Sequence, residues 1–584
     1  MRTKLALVLS AAVLTVAPHG AGRGAATADL VLLNGHVITV DAKDRIAQAV
    51  AIGGDKILAV GTNAEVRALI GPATQQVDLR GLTVTPGLLD AHAHFASGGV
   101  SRLFTLDLSY PEVKNLSDVR TKVAERVARA APGEWIDGRG WDEGKLEERR
   151  YIRATDLDPV SPNNPVRLTQ TTGHYVAVNS AALRIANITK DTPDPPGGTI
   201  DRYSDGTPTG VLKEGAAGLA RGGRSAAMPA DATEQGIREL AKAFNAEGMT
   251  GAKDPGIGMD TWAAYKKVLA DGALTVRIFA LWRGGTSPSR GKDLIVQVGS
   301  FTKPYESTGD DHLVSGGIKL YIDGSGGART AWLYDDWSKE SSGTDTGNKG
   351  YPTSNPDSIR ALIRMFHDAG LHVATHSIGD HGIDWIVDSY AEAEKANPRP
   401  GLRHAIIHAN IPTDHALAVM ADLQKRFDAG YPEPSATFTW WIGDTYAGNF
   451  GPKRSARLNP FKTFLAKGIL WANGSDYSVT PFPARYAIWS AVAREPLLGV
   501  YGTHPFGTAE SVDVHVALKA VTIWAARQMF LEKKIGSLEV GKYADLAVWD
   551  RDLYGVPAAQ LKELQCQMTI FNGKVVFRRV GGKL

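Results

Sequence analysis

Cysteine is almost absent from this chain: Cys566 is the single one in 584 residues. That excludes an intrachain disulfide and makes a thiolate zinc site or a cysteine nucleophile improbable, so any metal must be held by His, Asp, Glu or a modified Lys. Beyond the N-terminus there is no apolar run long enough to span a membrane. A surplus of either charge is missing too, with 65 Lys and Arg against 62 Asp and Glu. Arg2, Lys4 and Arg23 account for the whole surplus of +3. The remainder is neutral, which argues against nucleic acid as a partner.

The first 28 residues have the anatomy of a secretory signal. Arg2 and Lys4 precede an apolar stretch of 13 residues, 5–17, which is short for a membrane span. Ala26-Thr27-Ala28 offers a cleavage site, with Gly24-Ala25-Ala26 as a competitor. The expected mature protein starts near Asp29, is periplasmic or secreted, and has no membrane attachment once the signal is removed.

A chain of this length needs two or three structural units. Over 29–85, short apolar runs are broken by Asn34-Gly35 and Gly53-Gly54-Asp55, which are hairpin signals. The same pattern returns near the C-terminus. Neither end has enough strands to bury both faces of a sheet, so 29–85 and 536–584 are expected to build one composite β-sandwich. Within 86–535, eight β-like runs occur at 85–95, 249–253, 275–280, 317–321, 371–376, 402–408, 436–440 and 469–473, several separated by helix-like segments. The fold class expected is α/β, a (β/α)8 TIM-type barrel with its chemistry where strands end. Small residues at 96–99 read as a loop. The turn-rich stretch 96–245 exceeds any normal connection and reads as an insertion subdomain after barrel strand 1.

Strand periodicity puts Asp90, His92 and His94 on one face. Of the pairs His372/His376 and His404/His408, only His376 and His408 fall at the C-terminal strand end, which leaves His372 and His404 as packed bottom-layer residues. Asp476 closes the last run, with Gly474 permitting close backbone approach. Lys319 stands in an apolar strand where an unpaired ammonium is costly; pairing with Asp323 is one solution.

Pro86-Gly-Leu-Leu-Asp-Ala-His-Ala-His94 resembles the signature that opens the barrel of the amidohydrolase superfamily, a group of metal-dependent hydrolases. Gly140-Trp-Asp-Glu143, Thr172-Gly-His174 and Thr209-Gly-Val-Leu-Lys-Glu214 resemble words of its YtcJ-like, N-substituted formamide deformylase-like branch (amidohydrolase family 3). The resemblance implies one or two divalent metals held by His92, His94, Lys319, His376, His408 and Asp476. Zinc is the metal it suggests, although nitrogen and oxygen donors also suit manganese, cobalt or iron. It implies a CO₂-derived carbamate on Lys319 as a bridging ligand, and Asp476 as general base and then acid. The reaction implied is hydrolysis of an amide-type C–N bond, of the N-acyl or N-formyl amine class, through a metal-activated hydroxide. A lactone or ester hydrolase using the same site stays open, as does a non-catalytic regulator on the same scaffold. His174, Arg329 and Trp440 are the residues expected to touch a small-molecule substrate, and a homo-oligomer is compatible.

N-terminal sequencing of protein recovered from its native host should read a start near Asp29 in an extracytoplasmic fraction. Intact Met1 on cytoplasmic protein would end the export reading.

Overall fold

The computed structural model describes residues 27–220, 228–302, 311–338 and 347–584. Of the signal-like stretch 1–28, residues 1–26 lie outside the described residues.

Seven parallel strands form the sheet that carries the site: Leu88–Asp90, Met249–Ile257, Arg277–Arg283, Leu313–Tyr321, Val373–Ser377, Ala405–His408 and Tyr431–Glu433. Their order in space follows their order in the chain. Helices connect successive strands, as parallel pairing demands. In the helix Pro356–Asp368, Ile359, Leu362, Ile363 and Phe366 recur at helical spacing and are buried, while Asn355 caps the first turn by accepting from Ser358 N.

Four expectations need correction. The run 85–95 is a strand of the parallel sheet only over Leu88–Asp90, so His92 and His94 follow the strand instead of sharing its face. The run 436–440 is not the seventh strand: Thr437–Trp440 is helical, and the strand is Tyr431–Glu433. Pro432 lacks an N–H and disguises that strand, which tolerates it because it lies at the edge of the sheet. The run 469–473 forms no strand. It still sits between the two sheet edges, where Ala472 N donates to Pro432 O at 3.3 Å and Gly474 N to Pro434 O at 3.1 Å, while Ala91 N donates to Asn473 O at 3.1 Å. These bonds link the edges without making a ladder. Finally, residues 96–99 belong to the helix Phe95–Phe104 instead of a loop. A Cβ on Gly99 would stand 2.1 Å from Gly236 O, so glycine there serves close helix packing and not chain reversal.

Both chain ends enter one six-stranded sheet, in which Thr83–Pro86 pairs antiparallel with Leu546–Trp549. A four-stranded sheet from residues 30–78 faces it, and Leu32, Val50, Ile52, Val84, Leu546 and Ile570 share the core between them. A further six-stranded sheet, from Leu106–Asp107 to Pro208–Glu214, surrounds its own core of Ile136, Trp141, Leu168 and Tyr175. The ion pair of Arg277 with Asp545 joins the parallel sheet to the terminal strands, with Nε–Oδ2 at 2.7 Å and the guanidinium 4.0 Å from the Tyr543 ring centre.

Both partners of that pair are buried, so Asp545→Ala strips a buried guanidinium of its carboxylate. The variant should lose about 3–5 kcal/mol in chemical denaturation. A loss under about 1 kcal/mol would make the pair dispensable to the join between the units.

Candidate metal centre

The centre begins with Asp90, the last residue of the first parallel strand. Its carboxylate accepts from His92 N at 3.0 Å, Ser475 N at 2.9 Å and Ser475 Oγ at 2.5 Å. Gly474 lets the two segments meet, since a Cβ there would stand 2.6 Å from the Cβ of His92. Asp476 N then donates to His92 O at 2.7 Å. These bonds place Asp476 Oδ1 3.4 Å from His92 Nε2 and 3.3 Å from His94 Nε2. His408 Nε2 lies 4.0 Å from Oδ2. Asp476 and His408 hold φ of 55° and 72°, a left-handed conformation that costs non-glycine residues strain of the kind found at functional sites.

His376 joins the group through His408, with ring centres 4.7 Å apart. Its Nε2 lies 2.9 Å from Gly324 O, so Nε2 carries the proton and Nδ1 keeps the lone pair. Lys319 sits on the neighbouring strand with Nζ 4.6 Å from the Tyr321 ring centre. It does not pair with Asp323, whose carboxylate accepts instead from Ile378 N, Gly379 N and Trp332 N. All six residues expected as ligands are therefore brought to one region, with five of them within reach of an imidazole or carboxylate of the group.

Burial sets their charge states. It holds His92 and His376 well below the ordinary imidazole range and His408 down to about 3. All three present neutral rings. Burial likewise lowers Lys319 to about 7, against the opposing pull of Asp476 and Glu433. For Asp476 burial acts upward, but the rings of His92, His94 and His408 outweigh it and keep the carboxyl well below its usual value. The result is one carboxylate beside the neutral rings of His92, His376 and His408.

Several of these atoms are buried without any hydrogen-bond partner: both ring nitrogens of His92, His408 Nδ1, Lys319 Nζ and Asp476 Oδ1. Orphaned polar atoms at this density are expensive unless something absent from the chain satisfies them. Donor atoms of His92, His408 and Asp476 lie within 4.8 Å of one another, and the set is all nitrogen and oxygen. The residues fit a divalent cation.

A second buried group, His367, Glu394 and His404, does not. Val373 N donates to His404 Nδ1 at 3.0 Å, which leaves the proton on His404 Nε2, 2.9 Å from His367 Nδ1. His367 Nε2 in turn donates to Asn397 O at 2.7 Å. Each ring lone pair is consumed. His372, with Nδ1 3.0 Å from Leu402 O, is likewise a packed residue.

Of the substrate-contact candidates, His174 reaches the centre, 5.2 Å from the His376 ring. Burial lowers its pKa, but Glu214, 3.0 Å away, outweighs that and raises it overall. Arg329 is buried with Nε donating to Asn449 Oδ1 at 3.0 Å, while Nη1 and Nη2 have no partner. Trp440 packs among Trp441, Tyr486 and Trp489 and is not brought to the ligands, because the segment that carries it is helical. Three features near the centre escaped the sequence reading. Asp254 caps the helix after His94 by accepting from Phe95 N and Ala96 N at 3.1 Å. Lys253 and Glu433 form a fully buried ion pair inside the sheet. Arg139 comes up from the insertion.

Residues 75–577 match the model of the amidohydrolase family. The chain belongs to that family. This amidohydrolase is 30% identical to the N-substituted formamide deformylase of Arthrobacter pascens over 566 residues, covering 95% of this chain and 99% of the relative. It is 28% identical to the amidohydrolase YtcJ of Bacillus subtilis (strain 168) over 553 residues, covering 93% and 98%. An uncharacterized metal-dependent hydrolase from Pyrococcus horikoshii OT3 shares its fold, with a TM-score of 0.68, 22% identity, and coverage of 91% and 99%. The amidohydrolase is thus a hydrolase by family, and its centre carries the donors of a metal site.

The neutral state of His408 has a sign in acid. Its folded pKa is depressed to about 3, so the stability linked to it is complete above the unfolded value of about 6.5 and is lost as pH falls toward 3. Asp90 and Asp323, each raised to about 7 by burial, act in the opposite direction, so the effect is read as a difference between variants. Between pH 6.5 and 4, metal-free wild type should lose stability relative to His408→Gln by up to about 1.4 kcal/mol per pH unit. A constant difference in denaturation midpoint would show that His408 is not held neutral.

Proposed function

We propose that this amidohydrolase cleaves an amide-type C–N bond in a small N-acyl or N-formyl amine. The observation that carries the reading is the ionised carboxylate of Asp476, buried among His92, His94 and His408 with one oxygen unpartnered. The likeness to an N-substituted formamide deformylase over nearly the whole chain supports the bond class. We further read the seven strands with 469–474 as a closed eight-stranded barrel beside a composite sandwich. In the same reading the protein acts outside the cytoplasm.

His92, His94, His376, His408, Asp476 and Lys319 would hold the cation, zinc in this reading. When bound, it supplies Lewis acidity to the substrate carbonyl and to water. Asp476 accepts the proton of the attacking water and returns it to the departing nitrogen, so a C–O bond forms as the C–N bond breaks and acid and amine leave. His174, whose pKa Glu214 raises, lies beside His376 and offers a ring N–H donor to the developing oxyanion. A Lys319 amine with pKa near 7 is partly neutral at physiological pH and can add CO₂, forming an N–C bond and releasing one proton. The carbamate then replaces an orphaned cation with an anionic ligand.

Lys319→Ala should lower metal content and amine release together. Asp476→Asn should keep more of its metal and lose about 10²- to 10⁴-fold in turnover, because the amide occupies the position but takes no proton. Metal stoichiometry measured beside turnover on N-formyl and N-acyl amines decides it. Parental turnover in Asp476→Asn would reduce Asp476 to a turn residue and end the mechanism.

A further inference from the structure

Beside the metal centre lies a cavity of about 470 Å³ between the strand Ile136–Trp141 of the insertion and the segment that follows Asp476. Its apolar walls come from Tyr110, Trp441, Tyr477, Phe482 and Tyr486. Tyr477 belongs to both places: it follows Asp476 directly, and its carbonyl accepts from His94 N at 2.7 Å. The cavity and the ligands therefore share one stretch of backbone.

Two of the three arginines around this cavity are paired with carboxylates, and Asp107, the ladder neighbour of Arg139, is held by Ser109 instead of by a cation. Arg485 Nε lies 2.8 Å from Glu247 Oε2, Arg102 Nε lies 3.5 Å from Glu239 Oε1, and Asp107 accepts from Ser109 N at 2.9 Å. Of these arginines, Arg139 makes no ion pair among the described residues, although the Asp476 carboxylate acts on it from a distance. Its Nη2 donates weakly to Thr171 O at 3.4 Å, and its Nε is buried with no partner at all. A guanidinium costs several kcal/mol to desolvate and is tolerated where an anion completes it. The planar fork suits a carboxylate in particular.

We propose that Arg139 binds a carboxylate carried by the substrate while the aromatic walls take its side chain, so that the amides processed are N-acylated amino acids with an apolar or aryl side chain. This rests on the amide-hydrolase reading of the adjoining centre. It adds a substrate class, and names Arg139 as the residue that selects it. One cation without an ion-pair partner, in an aromatic cavity, matches a monoanion better than a phosphate, which demands more donors.

The test measures binding without turnover, on the metal-loaded enzyme, with 3-phenylpropionate and its uncharged counterpart 3-phenylpropan-1-ol. By calorimetry, the wild type should bind the carboxylate at least about tenfold tighter than the alcohol, the size expected for a hydrogen bond to a charged group. Arg139→Gln should lose that preference and keep its affinity for the alcohol, which also reports that the cavity is intact. Arg139→Lys should retain part of it. Equal affinity for the two probes in the wild type, no measurable binding of either, or a carboxylate preference that survives Arg139→Gln would each overturn the proposal. In the last case the carboxylate is held by the metal or by Arg283, which lines the neighbouring cavity beside His94. The reaction is scored separately: a carboxylate preference lost in Arg139→Gln, in an enzyme that releases no amine from N-acetylphenylalanine, keeps the subsite and removes the hydrolase reading. Faster release from N-acetylphenethylamine than from N-acetylphenylalanine keeps the hydrolase and removes the subsite.

Discussion

The carboxylate of Asp90 ties the two ends of the parallel sheet together, and the geometry of the centre depends on that tie. It takes one hydrogen bond from the His92 backbone and two from Ser475, 385 residues away. Three such hydrogen bonds, at about 0.5–1.5 kcal/mol each, together offset the left-handed backbone of Asp476. Without the tie, the first histidine pair and the last carboxylate belong to opposite edges of an open sheet. With it, the unpartnered ring of His92 meets the unpartnered Oδ1 of Asp476.

The terminal strands reach the centre through the same edge. Thr83–Pro86 is a middle strand of the sheet built from both chain ends, and one residue later the chain becomes the first parallel strand, Leu88–Asp90. Gly87, between them, donates to Asp545 O at 2.9 Å and comes so near Thr250 that a Cβ would overlap its Oγ1 at 2.2 Å. The approach of His92 and His94 is thus fixed by a sheet whose partner strand, Leu546–Trp549, comes from the far end of the chain. The inside of the parallel sheet is unusually polar, with Lys253 paired to Glu433 and Lys319 unpaired. That interior is sustained by apolar faces elsewhere, between the strands and their covering helices and inside the two other cores.

Much of this was legible in sequence because it is local. Histidines two apart at a strand end, a lysine inside an apolar run, and a glycine before an aspartate each carry a physical reason within a few residues. What escaped is long-range or masked by local chemistry. Lys253 and Glu433 stand 180 residues apart, and nothing in either neighbourhood announces the other. Pro432 and Pro434 read as breakers, which moved the expected seventh strand onto the β-branched and aromatic residues of a helical turn. Four small residues at 96–99 read as a loop because helix propensity is judged residue by residue, whereas here Asp254 on the next strand caps the helix and Gly236 on another needs the space.

The two buried histidine groups show why composition and distance alone do not identify a metal site. Both bring two histidines and a carboxylate within ligand reach. In one, a backbone N–H fixes the tautomer of His404, and the proton order that follows runs through His367 to a carbonyl and leaves no ring lone pair free. In the other, the protein supplies no such order: His92 has neither ring nitrogen bonded, and His408 and Asp476 each keep an unpartnered atom in a left-handed backbone. A folded chain satisfies the polar groups it buries for its own sake. What separates the two groups is the ring lone pairs, which the protein uses up at His404 and His367 and leaves open at His92 and His408, and that difference is what supports reading the centre at Asp476 as the one shaped for a cation.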